Sequence, residues 1–125
     1  MRFVETLSGK RLDPPPVCIM RQAGRYLPEY RAVRQTEPDF ISFCLNPDKA
    51  CKVTIQPIKR FDFDASIIFS DILLVPWAMN RNVRFINGVG PKLDILSSIK
   101  DVEVFADKDL TDKYKAVGKA VRLAR

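Results

Sequence analysis

Histidine is missing altogether from this chain of 125 residues, and its three cysteines, Cys18, Cys44 and Cys51, include no CxxC pair. These shortages remove the common zinc sets and leave any cysteine nucleophile without an imidazole base. No metal site is expected, and Cys44 and Cys51 read as core residues flanking a helix start. An odd cysteine count also argues against a disulfide framework, so a reducing, cytoplasmic compartment is expected. Long apolar runs are lacking too. Met1-Arg2-Phe3-Val4-Glu5-Thr6 holds no apolar core of signal-peptide length,. The most apolar stretch, residues 65–79, carries Asp71 and Pro76 and falls short of the ~20 residues a bilayer span needs, so no membrane partner is expected,. Gly88-Val89-Gly90-Pro91 lacks both the spacing and the trailing Lys-Ser/Thr of a phosphate loop and reads as a turn,.

What is present is the balance of one globular unit, 46% hydrophobic and 29% charged,. The net charge is +6, with the basic residues divided almost evenly on either side of Arg60. Nucleic-acid arms cluster their charge, so this evenness argues against nucleic acid as a partner, while a modest positive field suits an anionic substrate. Trp77, Phe61, Phe63 and Phe69 are not interleaved with a basic cluster and are assigned to packing.

Along the chain, residues 1–10 suit a short surface helix, and Asp13-Pro14-Pro15-Pro16 predicts an extended connector. Val17-Cys18-Ile19-Met20 is an uninterrupted apolar run that stops at Arg21, the pattern of a parallel strand buried on both faces. Gln22-Ala23-Gly24-Arg25 reads as a loop. Pro28 opens a helix that Pro38 must end, and a second short helix fits residues 39–45. Asn46-Pro47-Asp48 is a strong helix start, predicting a helix from 47 to about 60 with Ala50, Val53, Thr54, Ile58 and Phe61 on its apolar face and a kink at Pro57. Ala65-Ser66-Ile67-Ile68-Phe69-Ser70 is a second buried parallel strand by its β-branched and aromatic content, ending at Asp71. Residues 72–79 fit either a helical turn or an extended segment. Residues 82–86 alternate and predict a short strand with one wet face. Residues 109–125 place Leu110, Tyr114, Val117, Val121 and Ala124 on one helical stripe, with no stop signal at the end of the pattern.

Two places carry chemistry. Arg21 and Arg25 bracket Gln22, Ala23 and Gly24 after the first expected strand, and Asp71 follows the second, the edge at which α/β barrels and open α/β sheets bind ligands. Forked guanidinium donors clamp carboxylates, and a glycine between them lets backbone approach a ligand. The plain alternative is a loop arginine paired to a nearby acid. A carboxylate in the apolar setting of Asp71 needs partners, either protein amides at a helix start or N–H donors of a ligand.

The run Met20-Arg21-Gln22-Ala23-Gly24-Arg25-Tyr26-Leu27-Pro28-Glu29-Tyr30-Arg31 closely resembles the N-terminal signature of the uroporphyrinogen decarboxylase family, and Ile67-Ile68-Phe69-Ser70-Asp71-Ile72-Leu73 resembles its second signature region. Val53-Thr54-Ile55-Gln56-Pro57-Ile58-Lys59-Arg60-Phe61 and Gly88-Val89-Gly90-Pro91 fall in the family's order and spacing. The resemblance implies an α/β fold, the N-terminal part of a (β/α)8 TIM barrel, with residues 1–125 as one segment of the barrel domain and no second domain. It implies a cytoplasmic, usually homodimeric enzyme of porphyrin and heme biosynthesis that needs no cofactor. Its substrate would be uroporphyrinogen III, whose four acetate side chains lose CO2 to give coproporphyrinogen III. By resemblance, Asp71 matches the aspartate that accepts hydrogen bonds from pyrrole N–H groups and stabilises a cationic intermediate. Arg21 and Arg25 match the loop arginines that bind substrate carboxylates, with Gln22, Ala23 and Gly24 as the substrate-lining backbone between them. A proton-donor role for either arginine is opposed by a guanidinium pKa above ~12.

Cys18 stands where the family usually has Trp, and Asn80 where it usually has Gly. The family's tyrosine, hydroxyl residue and C-terminal histidine have no counterparts here, and 125 residues are about half of the ~250 typical of a closed barrel,. The expectation is therefore an incomplete barrel with apolar surface exposed, inactive as an isolated chain and prone to associate. Two rivals are a barrel methyltransferase, which would bring zinc ligands, and a non-catalytic basic module, which the dispersed charge opposes.

Overall fold

The structure is a computed structural model and describes residues 1–20, 26–86, 88–106 and 109–125. Its elements are α1 (Arg2–Leu7), α2 (Pro28–Arg34), α3 (Phe40–Cys44), α4 (Pro47–Phe61), α5 (Leu74–Ala78), β1 (Arg84–Ile86), β2 (Gly90–Lys92), α6 (Lys100–Ala106) and α7 (Thr111–Ala124). Helices dominate, and the sheet among the described residues is one two-stranded antiparallel hairpin.

The helix starts follow local chemistry. Pro28 occupies the first turn of α2, where its missing N–H costs nothing,. Asp39 caps α3, its carboxylate accepting from the Ser42 amide at 2.8 Å and from the Ser42 hydroxyl at 2.6 Å. Asn46 caps α4 as expected: Oδ1 accepts from the Lys49 amide at 3.1 Å, while Nδ2 donates to Glu37 at 2.8 Å,. Lys49 closes that group with an ion pair to Glu37 at 2.8 Å. The helix runs through Pro57, which is buried, and ends at Asp62 in a left-handed conformation, φ 55°. Short polar residues tolerate that region better than others do.

The core lies where α2, α3 and α4 meet. Leu27, Tyr30, Val33, Phe43 and Val53 form it, and Phe69 packs against it. The Phe69 ring lies 4.8 Å from Phe43, 5.9 Å from Tyr30 and 6.1 Å from Phe40, centroid to centroid, in tilted and edge-on arrangements that aromatic quadrupoles favour,. Burying a side chain of this size contributes ~1.5–3 kcal/mol, so these few aromatics carry much of the fold.

Several expectations are corrected. Residues 17–20 and 65–70 are not strands, and Val17, Ile19, Met20 and Ile67 are exposed, Met20 at 75%. A parallel strand buried on both faces needs paired neighbours and a layer over each face. Here Phe69 is the residue of the second segment that packs against the helical core. The two segments nevertheless start side by side: the Asp64 amide donates to the Val17 carbonyl at 3.0 Å, and the Val17 amide donates to the Asp64 carboxylate at 2.8 Å. The Asp64 carboxylate also meets Arg2 of α1 at 3.3 Å. The proline connector bends at Asp13 and Pro14, which a cis peptide bond joins, rather than running extended throughout.

Residues 72–79 resolve into the short helix α5, with Leu74 and Ala78 buried. β1 has no buried face; it pairs with β2 in the register Arg84↔Lys92, Phe85↔Pro91, Ile86↔Gly90, and Gly88 takes φ 76° in the connecting turn. α7 packs against α4 with Leu110, Tyr114, Val117 and Ala124 of the expected stripe partly buried; Val121 is about half exposed, and Ala120 beside it is fully buried instead. A small residue at the contact lets the two helices approach closely. The expected exposure of apolar surface is present, with Ile72 86% and Ile95 88% accessible.

Candidate functional site

Asp71 stands at the exit of segment 65–70, two residues before Leu73, the N-cap residue of α5. The carboxylate is half-buried, and Oδ1 accepts from the Leu73 amide at 2.8 Å while the Asp71 carbonyl accepts from the Leu74 amide at 3.1 Å. Of the two partner types the sequence left open, a helix-start amide is therefore supplied by the chain itself. Asp71 does not cap α5 directly; it closes an Asx turn that leads into it.

Two positions before Asp71, Phe69 is held at both its side chain and its backbone. The Phe69 side chain is gripped by three aromatic rings, and its amide donates to the Thr54 hydroxyl of α4 at 2.8 Å. Thr54 is only 1% exposed, and its hydroxyl in turn donates to the Ala50 carbonyl at 2.7 Å. The sequence reading placed Thr54 on an apolar face and missed this role; the signal was available, since it is the one polar residue in that stripe.

Asp71 also lies close enough to Cys44 of α3 to act on it electrostatically. Burial pushes the Cys44 thiol up to about 12, and the neighbouring Asp71 carboxylate adds to the rise,. Cys44 is thus a neutral core residue beside the carboxylate, as the absence of a base suggested. Cys51 is only partly buried.

The Arg21, Gln22, Ala23, Gly24 and Arg25 loop lies outside the described residues. Its flanks are described: Met20 and Tyr26 are exposed, and Leu27 is buried in the core. Glu29, in the first turn of α2, is tied to α4 twice, by Gln56 Nε2 donating to its carbonyl at 3.1 Å and by Arg60 to its carboxylate at 2.9 and 3.0 Å. These contacts fix the chain just after the arginine loop against the helix that also holds Phe69. Among the described residues no three His, Cys, Asp or Glu side chains come together in a way that could hold a metal ion, and no helix is long and apolar enough to cross a membrane. A surface cleft of about 340 Å³ between α1 and the proline connector, lined by Thr6, Arg11, Leu12, Asp13, Pro15 and Pro16, does not include Asp71.

Among the described residues, the site is thus a half-buried carboxylate fixed at the entrance to α5 beside the α2, α3 and α4 core. The family model for uroporphyrinogen decarboxylase (URO-D) matches residues 1–125, and the chain belongs to that family. Relatives named uroporphyrinogen decarboxylase include those of Caulobacter vibrioides, 52% identical over 122 residues, and Rhodospirillum rubrum, 50% identical over 120. The match to the first covers 98% of this chain and 32% of the relative; for the second the shares are 96% and 34%. The Sinorhizobium fredii protein of that name is 48% identical over 124 residues, 99% of this chain and 36% of its own length. The chain thus spans about a third of the length of the curated relatives it matches.

Proposed function

We propose that this chain contributes the amino-terminal part of a cofactor-free uroporphyrinogen decarboxylase, a cytoplasmic, homodimeric (β/α)8 barrel enzyme that converts uroporphyrinogen III to coproporphyrinogen III. The observation that carries the reading is the Asp71 carboxylate, half-buried and held by the Leu73 amide at the entrance to α5, two residues after the anchored Phe69.

Loss of CO2 from an acetate on a pyrrole leaves an electron pair on the methylene carbon, which needs a sink. Protonating the pyrrole ring supplies one: the C–C bond pair moves into the cationic ring as CO2 departs, a proton then adds to the methylene carbon to give a methyl group, and the ring releases the proton it first took up to restore the neutral pyrrole. Charge develops on the ring nitrogen, so a fixed anion that accepts the pyrrole N–H groups stabilises the cation without reorganising. Asp71 takes that role. Arg21 and Arg25, with Gln22, Ala23 and Gly24 between them, bind the substrate's carboxylates, for which forked guanidinium donors are suited.

The test is a chimera in which residues 1–125 replace the matching third of the Caulobacter vibrioides relative, assayed for coproporphyrinogen formation beside the 125-residue chain alone. The chimera should decarboxylate uroporphyrinogen III and the chain alone should not. Asp71→Asn in the chimera should lower kcat by ~10²–10³, the usual loss when one preorganised electrostatic group is removed. An inactive chimera, or one indifferent to Asp71→Asn, overturns the proposal.

A further inference from the structure

We propose that Thr54 is a positioning residue for Asp71: its hydroxyl pins the Phe69 amide and so sets where the segment delivers the carboxylate. The inference rests on the reading of Asp71 as the group that meets the substrate's pyrrole N–H donors.

The geometry assigns the hydroxyl a single arrangement. Thr54 is 1% exposed, so solvent does not compete for it. Its proton is committed to the Ala50 carbonyl at 2.7 Å, the carbonyl one turn earlier in α4,. A hydroxyl has one proton and two lone pairs, so what it offers outward is an acceptor, and the Phe69 amide fills it at 2.8 Å,. That bond ties segment 65–70 to α4, the longest helix.

Two further contacts turn this anchor into control of Asp71. The Phe69 ring sits among Tyr30, Phe40 and Phe43, so that residue is held at both its backbone and its side chain. Two residues on, Asp71 accepts from the Leu73 amide at the entrance to α5, whose Leu74 is buried. Asp71 is thus suspended between a fixed point before it and a fixed turn after it. Releasing the first lets the carboxylate shift with no change in its chemistry, and small misplacements of a preorganised charge are costly to rate.

The experiment compares Thr54→Val, which keeps the shape and removes the hydroxyl, with Thr54→Ser, which keeps the hydroxyl and removes the methyl. In the ¹⁵N-labelled 125-residue chain, Thr54→Val should speed amide exchange at Phe69 at least tenfold and move the Leu73 amide resonance. Thr54→Ser should restore both, and exchange within α2 should be unaltered in either variant. If Leu73 does not move, or Ser fails to rescue, Thr54 is a packing residue and the inference is overturned. In the chimera, Thr54→Val should lower kcat about tenfold with KM within twofold, and Thr54→Ser should recover it. Loss with Asp71→Asn but not with Thr54→Val sinks the positioning role alone. Indifference to Asp71→Asn, or an inactive chimera, sinks the functional reading, and the amide measurements still decide what Thr54 does.

Discussion

Replacing Phe43 with alanine should come close to unfolding this protein. Phe43 is fully buried, contacts Tyr30 edge-on at 5.8 Å and Phe69 at 4.8 Å, and has the Arg34 guanidinium over its ring at 5.7 Å. Phe→Ala in a core costs ~3–5 kcal/mol, the transfer free energy plus the cavity left behind. Total stability for 125 residues is of order 6–19 kcal/mol at ~0.05–0.15 kcal/mol per residue,. The short core and the exposed apolar residues place this chain at the low end. With an urea m-value of about 1.5 kcal/mol/M, the loss moves the denaturation midpoint down by ~2–3 M. Phe61→Ala is the control. Phe61 is 44% exposed and pairs mainly with Phe63 at 5.5 Å, so its midpoint should fall by less than ~1 M,. Equal shifts for the two variants at unchanged m would refute the assignment of the core to the α2, α3 and α4 junction.

Three further outcomes are expected. The Asp39 carboxyl is held below its ordinary 3.8, chiefly by the Ser42 hydroxyl and amide, and that of Glu37 below 4.5 by Lys49 and Asn46. A depressed folded pKa gives stability that is complete above the unfolded carboxyl range and is lost as pH falls through the folded value, so urea midpoints should drop below about pH 4.5, and Asp39→Asn should flatten that dependence. A thiol reagent at pH 8 should label exposed Cys18 promptly and Cys44 only after unfolding, as mass spectrometry of the labelled peptides would report, because burial pushes the Cys44 thiol up to about 12,. Asn80→Val should lower stability by ~1–2 kcal/mol and Asn80→Gly by far less in thermal melts, since Asn80 has φ 57°, although glycine forfeits the contact of Asn80 with Lys113,.

The sequence by itself determined what depends on neighbours within about one turn. Pro28, Asn46 and Pro47 announced the starts of α2 and α4, because a cap or a missing N–H acts over three or four residues,. The run from Met20 to Arg31 announced the family, and a lone charge after an apolar run singled out Asp71. The tertiary structure alone decided matters that turn on distant groups. Segments 17–20 and 65–70 carry strand composition, yet a ladder needs paired edges and covered faces that composition cannot supply; where the segments begin, Val17 and Asp64 do meet,. Most of the α7 stripe is on the packed side, but at one place packing against α4 selects the small Ala120 over the larger Val121. Thr54 looked apolar by position, and only the fold brings the Phe69 amide, fifteen residues away in the chain, to its hydroxyl. A buried hydroxyl must find partners, and which partner it finds is fixed by where the chain returns, not by what lies beside it in sequence.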